Sequence, residues 1–230
     1  MGIAKVSSTY IGQGTTTPTQ ITISAVAGNT LIVVVNYLGS SFTTGSVTGV
    51  TDNHGGVWSQ VSGATTNSPT SYNSTDTEMW ICLDAPGGST IISVAFTGTV
   101  YGSSGANDSV AWVGQFSGIN GTDGTANIVP GTSGSPNPST KTPSQSGDLA
   151  LVVLNTPYSG TTALPSTPWF NETITPLQGN VWSICWQVVA GASPVTATWT
   201  IGASENWGAI TALFSPSLSP VSTSGLLLIL

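Results

Sequence analysis

Charged side chains are scarce in this chain of 230 residues, at 5% of the total. Ordinary soluble domains have roughly 25%. The basic residues are Lys5 and Lys141, against nine acidic ones, so the net charge is −7. Two lysines cannot form the basic patch that nucleic acid phosphates or an anionic membrane surface require. The composition therefore predicts that nucleic acid is not a partner.

Cysteine and histidine are also rare, with two cysteines and a single histidine, His54. A structural zinc site needs about four such ligands, so we predict no zinc site, no other metal centre and no cofactor. Calcium at loop Asp and Asn oxygens stays open, although the spacing of a recognised loop motif is missing. No Gly-x-Ser-x-Gly motif accompanies His54, and no two carboxylates stand out as a glycosidase pair. We therefore predict no catalytic residues.

Long apolar runs are missing as well. No stretch approaches the roughly 20 apolar residues that span a bilayer, so we expect no membrane insertion. No apolar segment of the signal-peptide type follows the first five residues. The scarcity of lysine, together with abundant Ser, Thr and Asn, favours an extracellular or cell-surface location.

The chain does contain many short runs rich in β-branched and aromatic residues, and no stretch has helical periodicity. Hydrophobic residues make up 39% of the sequence. Three segments recur later in the chain in the same order: 28–35 as 147–154, 78–85 as 181–188, and 109–116 as 206–214. One β unit is therefore present twice.

We predict an all-β fold, a two-sheet jelly-roll-like β-sandwich over residues 1–215. Its duplicated halves lie at about 20–118 and 147–215, and equivalent strands of the two halves are expected to pair. The alternative is two small separate domains. Residues 119–146 have little hydrophobic content and are predicted to form a surface connection.

Local patterns give three further predictions about strands. Residues 3–11 alternate weakly, as in an edge strand, and Ile21 and Ile23 should point inward from an alternating strand. The apolar run from Thr30 to Leu38 is typical of a central strand buried on both faces. Turn-forming residues between 47–51 and 57–61 predict a β-hairpin.

Cys82 and Cys185 occupy equivalent places in the repeat, on the strand faces opposite Ile81 and Ile184. If the two strands are neighbours, a disulfide could close a loop of about 100 residues and stabilise the fold by about 4–5 kcal/mol. If they are not neighbours, both cysteines are small buried hydrophobes.

Eight tryptophans suggest carbohydrate binding, because sugar rings stack on exposed aromatic faces. Strand alternation assigns Trp182, Trp186 and Trp199 to the core. The remaining candidates for glycan stacking, with core packing as the alternative, are Trp58, Trp80 and Trp169. Four Asn-x-Ser/Thr sequons are candidate sites of a glycoprotein: Asn73, Asn107, Asn120 and Asn171.

The last residues differ from the repeat. A Pro/Ser-rich linker over 216–225 cannot join a sheet interior. It is followed by an uncharged apolar run that in water would be an aggregation template: Leu226, Leu227, Leu228, Ile229 and Leu230. We predict that this run is a donor strand taken up by a neighbouring copy, where two or three inward leucines would contribute about 5–8 kcal/mol before ordering costs.

Three alternatives to that donor strand remain. The run could fold back as a last strand of its own sandwich, or it could be a truncated membrane-anchoring or sorting tail. The N-terminal arm, residues 1–12, is the rival candidate for an exchanged strand.

Four motifs in this order resemble a broad group of bacterial secreted β-sandwich domains of surface and adhesive proteins: Gly-Asn-Thr-Leu-Ile-Val-Val-Val, Thr-Asp-Asn-His-Gly-Gly-Val-Trp, Met-Trp-Ile-Cys and Ala-Trp-Val-Gly-Gln-Phe-Ser-Gly. More loosely, the chain resembles jelly-roll protomers of extracellular pilus-like filaments. The resemblance covers about residues 3–215 and brings no catalytic residues to this sequence.

The sequence therefore predicts a non-enzymatic structural subunit of an extracellular pilus-like helical filament. Copies of the chain would be its partners, assembled head-to-tail by donor-strand exchange, since a contact that does not close generates a helical polymer. The alternative is a carbohydrate-binding or adhesive surface module that uses exposed tryptophans and takes glycans as partners. A secreted hydrolase is the third hypothesis.

Overall fold

A computed structural model of the chain describes residues 2–14, 19–38, 46–66, 75–97, 109–156, 162–172, 174 and 181–217. These residues form β-strands joined by turns and irregular segments, with no helix among them. A search of the same residues found no helix with the length and apolarity to cross a membrane. The all-β prediction is confirmed.

Sixteen strands form in the described part of the chain. Those before residue 118 are β1 (Ala4–Gly14), β2 (Thr19–Ala25), β3 (Thr30–Leu38), β4 (Ser46–Asp52), β5 (Trp58–Thr66), β6 (Thr75–Cys82), β7 (Gly88–Thr97) and β8 (Ser109–Ser117). Those after it are β9 (Ile119–Thr122), β10 (Asn127–Ser133), β11 (Leu149–Thr156), β12 (Thr162–Ala163), β13 (Phe170–Asn171), β14 (Val181–Val188), β15 (Thr200–Ile201) and β16 (Glu205–Pro216).

Two antiparallel sheets form the centre of the molecule. Their strand orders are β1-β8-β3-β6-β5 and β10-β16-β11-β14-β13, and the two orders correspond position by position. Strand β10 takes the place of β1, β16 that of β8, β11 that of β3, β14 that of β6 and β13 that of β5. The short strand β9 also pairs with β16, at its last residues, Phe214 to Pro216. The duplication predicted from the sequence is therefore present in the topology.

The two halves meet face to face. Each central sheet is built from strands of one half alone, so the prediction that equivalent strands pair with each other is wrong. The physical reason is that β3 and β11 are apolar on both faces, and each central sheet can be covered on both sides. The main core lies between the sheets and includes Ile32, Val34, Met79, Trp112, Phe116, Leu149, Leu151, Val153, Trp182, Ile184 and Ile210.

The outer face of each central sheet is covered by its own half. The three-stranded sheet β2-β7-β4 packs on the first central sheet over a first outer core that contains Leu31, Val33, Val35, Cys82 and Ile92. Ile21 and Ile23 are buried there, as predicted. In the described part of the second half, the outer layer contains the pair β12–β15 and an isolated bridge between Lys141 and Val195. Antiparallel sandwich packing is confirmed, and jelly-roll connectivity stays a prediction.

The predicted hairpin between β4 and β5 is wrong. Strand β4 pairs with β7 in the outer sheet, whereas β5 pairs with β6 in the central sheet. The turn between them is organised by Asp52, whose Oδ1 accepts the backbone N–H groups of His54 at 2.8 Å and Gly56 at 3.1 Å. Its Oδ2 accepts the indole N–H of Trp58 at 2.8 Å. The turn thereby directs the chain from one layer into the next.

The surface connection or linker predicted over 119–146 is wrong for 119–122 and 127–133, which form strands, whereas 134–146 is irregular and mostly exposed. Strands β9 and β10 belong to the second central sheet, at the edge that β1 occupies in the first. The low hydrophobic content of this segment agrees with the position of β10, whose side chains alternate between partly and fully exposed. An edge strand needs few apolar residues, so composition alone did not distinguish it from a loop.

The junction between the halves contacts both ends of the described fold. Gly118 has a φ of 77°, and a Cβ added there would lie 2.7 Å from the backbone oxygen of Gly2. The backbone oxygen of Gly118 accepts the N–H of Ser217 at 2.7 Å. The start of β1, the crossing between the halves and the end of β16 are therefore neighbours.

Candidate functional site

The carboxylate of Glu172 lies where the edge of the first central sheet faces the second. Oε1 accepts hydrogen bonds from the ammonium of Lys5 and from the indole N–H of Trp186, the latter at 2.7 Å. Oε2 accepts the hydroxyl of Ser8 at 2.8 Å and the indole N–H of Trp112 at 3.2 Å. These five residues are called the Glu172 cluster below. Only 8% of the Glu172 side chain is exposed, and four donors from both halves satisfy its oxygens.

A β-bulge brings Lys5 and Ser8 to the same side of β1. Lys5 is opposite Phe116 and Ser7 is opposite Gln115, so Val6 is an extra residue in the pairing. The bulge shifts the alternation by one position, and Val6 is left 47% exposed. The weak alternation of residues 3–11 is therefore interrupted at Val6. Bulges commonly redirect side chains in this way.

The electrostatics of the cluster favour the ionised carboxylate. Burial alone would raise the pKa of Glu172, but hydrogen bonds from Lys5, Ser8 and Trp186 outweigh it and hold the pKa below its ordinary value. The ammonium of Lys5 also lies 5.6 Å from the ring centroid of Trp186, within cation–π range. Phe170 stacks on the same ring at 4.6 Å and is itself 58% exposed.

A pocket of about 390 Å³ opens beside the cluster, at the side of the molecule where β1 and β13 are adjacent edges. We call it the β1–β13 groove. Its walls combine hydroxyl, amide, phenol and indole groups: Lys5, Ser8, Thr9, Tyr10, Trp112, Asn171 and Glu172. This chemistry suits a polar ligand that presents hydroxyl groups.

Two more carboxylates are buried away from the groove. Glu78 accepts three hydrogen bonds of 2.9 Å, from the Tyr37 hydroxyl, the Val47 N–H and the Gln60 amide. Asp148 is fully buried, and neither of its oxygens has a hydrogen-bond partner among the described residues. Burial, and then the nearby carboxyl of Asp123, raise the pKa of Asp148 to about 6.

The tryptophan side chains pack in or against the apolar clusters rather than lying exposed on the surface. Trp182 and Trp199 are buried in the core as predicted, and Trp186 is half-buried against the main core. The stacking candidates lie on the outer cores: Trp58 and Trp80 pack on the first, and Trp169 packs on the apolar clusters of the second half. Core packing, the alternative weighed for these three residues, agrees with their partial burial.

Cys82 and Cys185 are free thiols, buried in different outer cores. The alternative of two small buried hydrophobes is therefore the arrangement observed, and a disulfide is absent. The reason is that β6 and β14 belong to different central sheets and each thiol lies in the outer core of its own half. The strand register also shows that the two cysteines are not equivalent in the repeat. Phe116 is opposite Thr30 as Phe214 is opposite Leu149, which aligns β3 with β11. In that alignment the counterpart of Cys185 is Trp80 and not Cys82, because Val152 faces Cys185 as Val33 faces Trp80.

Of the four sequons, Asn73 and Asn107 lie outside the described residues. Asn120 is exposed on β9, and Asn171 is exposed on β13. The side-chain amide of Asn171 donates to the backbone oxygen of Pro165 at 2.8 Å. The candidate donor strand, 226–230, also lies outside the described residues.

His54 is exposed in the turn after β4, and its Nε2 lies 3.1 Å from the backbone oxygen of Ser89. The residues that the structure describes contain no group of three or more His, Cys, Asp or Glu side chains placed to hold a metal ion.

Sequence reasoning did not identify the Glu172 cluster. Glu172 is the middle residue of the Asn171 sequon and Lys5 lies on a weakly alternating strand, and 167 positions separate them. The one usable signal is scarcity, since a chain with two lysines has few ways to neutralise a buried carboxylate.

Comparison of the chain with protein-family models, with curated proteins and with solved structures gave no match.

Proposed function

We propose that this chain is a structural subunit of an extracellular homopolymer, joined head-to-tail into a pilus-like filament when residues 226–230 add to a sheet of the next copy. The main support is the open edge of β1. This strand has 11 residues and ends its sheet order, so its outer side has no strand partner in the described part of the chain. Such an edge accepts a further strand through backbone hydrogen bonds.

The exit point of the chain supports the same proposal. Strand β16 has neighbours on both sides, and its last residues leave the sheet beside Gly118. The segment 218–225 can span about 26–29 Å when extended, at roughly 3.3–3.6 Å per residue. That reach brings the apolar run within range of another protomer.

The cluster chemistry supports a structural role over a catalytic one. Both oxygens of Glu172 accept hydrogen bonds from the protein. The ionised carboxylate therefore has no free oxygen with which to act as a general base. A carboxylate bound from both halves holds the halves together, which a load-transmitting subunit requires.

Electron microscopy of negatively stained protein tests the filament. The intact chain is expected to form fibres, and a chain lacking 226–230 is expected to remain soluble and monomeric by light scattering. A matched control with Ser222, Thr223 and Ser224 replaced by Ala keeps the apolar run and should assemble normally. Fibres from the shortened chain, or none from the intact one, would refute the proposal.

A second candidate function is binding of a saccharide in the β1–β13 groove. It is favoured by the polar lining of the groove, which includes the 40% exposed ring of Tyr10, and by the 58% exposed ring of Phe170, which precedes the lining residue Asn171 in the chain. Sugar recognition would then use these two rings and not Trp58, Trp80 or Trp169, which are packed on the outer cores.

Glycan-array binding tests this second candidate. We expect Tyr10→Ala and Phe170→Ala each to reduce a positive signal about five- to thirtyfold, because a lost stacking face removes about 1–2 kcal/mol. Ile91→Ala, at an exposed apolar residue of β7 far from the groove in the sheet order, is the control and should bind normally. An array without signal, or equal binding by all variants, would exclude the groove.

A further inference from the structure

Asp148 is an unusual residue for its position. It follows Gly147, which has a φ of 91°, and leads into β11; in the first half Asn29 follows Gly28, which has a φ of 80°, and leads into β3. The backbone role is the same in both halves, since the oxygens of Asn29 and Asp148 each accept an N–H at 2.8 Å. The turn therefore does not require an acid. Yet the carboxylate is 0% exposed and both its oxygens are without hydrogen-bond partners in the described residues, which is costly for a charge.

A second carboxyl group lies next to it. Between Thr122, opposite Phe214, and Asn127, opposite Thr211, the four residues 123–126 stand against only two residues of β16. This irregular segment places Asp123 beside Asp148, so the two carboxyl groups interact although neither oxygen of Asp148 has a hydrogen bond of ordinary geometry. The backbone N–H of Ser144 donates to Oδ2 of Asp123 at 2.6 Å, so the segment is packed against the loop 141–148.

The nearby cation, Lys141, attracts Asp123 electrostatically but does not form an ion pair with either carboxylate. The ammonium of Lys141 donates to the backbone oxygen of Thr125 at 2.6 Å. Neutral oxygen ligands are present in the side chains of Ser144 and Gln145, which lie beside Asp123 and Asp148 respectively. Sulfur and imidazole are not, because both cysteines are buried in the outer cores and His54 belongs to the turn after β4.

We propose that Asp123 and Asp148 bind a calcium ion between the segment 123–126 and the loop 141–148. Oxygen ligands in an irregular, partly exposed loop pair suit Ca²⁺, which accepts six to eight oxygens in flexible geometry, better than Mg²⁺, which requires a near-ideal octahedron. Asp123 is half-buried and gives the ion its access to solvent. With two carboxylates and one lysine nearby, the affinity belongs to the weak extracellular range, a Kd of about 10⁻⁴–10⁻³ M.

Calcium titration of the full chain tests this site. After dialysis against EDTA, 10 mM CaCl₂ should raise the unfolding temperature by about 3–6 °C, and calorimetry should give one ion per chain. Asp148→Asn and Asp123→Asn should both abolish the shift. Asp148→Asn copies the Asn29 of the first half and is expected to fold; if it does not, Asp123→Asn decides.

The control is Asp84→Asn, which removes the same charge at an exposed residue with a φ of 51° and should keep the full calcium response. Three results would overturn the proposal: no shift with calcium, an undiminished shift in both Asn variants, or an equal shift with MgCl₂. The last would show general screening of the net charge of −7. If acid raises the unfolding temperature and calcium does not change it, the two carboxyl groups share a proton instead of binding an ion.

Discussion

At the scale of single residues, Glu172 and Lys5 depend on each other. Lys5 is 24% exposed, so water reaches its ammonium, whereas Glu172 is 8% exposed and relies on protein donors. Removing one partner of a buried ion pair destabilises a protein by more than the intact pair stabilises it, because the remaining charge is left buried and unpaired. The two tryptophan donors come from different halves, so the carboxylate also fixes the distance between the central sheets.

Replacing Glu172 by Gln should lower the free energy of unfolding by about 2–3 kcal/mol, because Lys5 loses its ion pair and one donor group then faces other donors. Glu205→Gln, at a partly buried residue at the start of β16, serves as the control and should change stability by less than about 0.5 kcal/mol. Urea denaturation at pH 7 measures both. Equal effects of the two substitutions would contradict the role given to Glu172.

The same substitution should change the pH dependence of stability. The pKa of Glu172 is lower in the folded state, so its contribution is complete above the unfolded pKa of about 4.3 and is lost as the pH falls through the folded pKa. The stability difference between the intact chain and Glu172→Gln should therefore shrink as the pH falls from about 5 toward 3. A difference that stays constant over this range would show that the charge is not involved.

At the scale of strands, β8 illustrates how a buried sheet accommodates a large side chain. Gly114 lies between Trp112 and Phe116 on the face toward the main core. A Cβ at Gly114 would lie 2.2 Å from the Trp112 ring and 2.9 Å from Phe116. Trp112 is 1% exposed and its indole N–H is bound to Glu172, so a shift of the ring would break that hydrogen bond. Because Gly114 has no side chain, the indole of Trp112 can occupy the space beside its Cα.

Gly114→Ala should therefore destabilise the protein by about 3 kcal/mol, at the upper end of overpacking effects. Gly121→Ala on β9 is the matched control, since a Cβ there meets nothing within 4 Å, and it should change stability by less than about 0.5 kcal/mol. Thermal unfolding of the two variants makes the comparison. A Gly114→Ala protein as stable as its control would mean that Trp112 can repack.

The strands themselves followed largely from the sequence, whereas their pairing did not. The alternation at Ile21 and Ile23 and the apolar run of β3 predicted burial correctly, because apolar side chains are the ones that folding removes from water. Turn residues after β4 gave the wrong partner for β5. Such a turn can close a hairpin or lead from one layer to the next, depending on which N–H groups donate hydrogen bonds to Asp52. Those donors cannot be read from the types of residue in the turn.

At the scale of the whole molecule, the main core belongs to neither half alone. Its residues come in comparable numbers from both central sheets, and separation of the halves would expose both inner faces to water. The sheets also share a buried polar contact, in which Asn36 and Asn155 both donate to the hydroxyl of Thr77, at 3.3 and 2.7 Å. Burial of this kind couples the halves energetically.

We expect a single cooperative unfolding transition, with equal calorimetric and van't Hoff enthalpies. Fragments 1–118 and 119–230 expressed alone should be insoluble or unfolded, and co-expression should recover a soluble complex with native circular dichroism. Far-ultraviolet and near-ultraviolet spectra of each fragment make the measurement. Two resolved transitions, or a stable isolated half, would contradict this expectation.

The duplication was visible in the sequence, but the way its copies meet was not. Similar segments such as 28–35 and 147–154 show that a unit is repeated, and they are equally compatible with edge-to-edge and face-to-face assembly. The site was harder still to predict. It depends on the Val6 bulge and on a contact between Lys5 and Glu172, and neither a one-residue shift nor a pairing across 167 positions leaves a local pattern.

The contact of Gly2, Gly118 and Ser217 has a practical consequence for protein engineering. Because the crossing between the halves touches both ends of the described fold, the order of the halves can be exchanged by circular permutation. A short linker from Ser217 to Gly2, with new termini cut at Gly118, would keep every strand in its register. Segments joined directly to Gly2 and to Ser217 would leave the described fold at the same corner, so two cargoes attached at these residues would lie side by side.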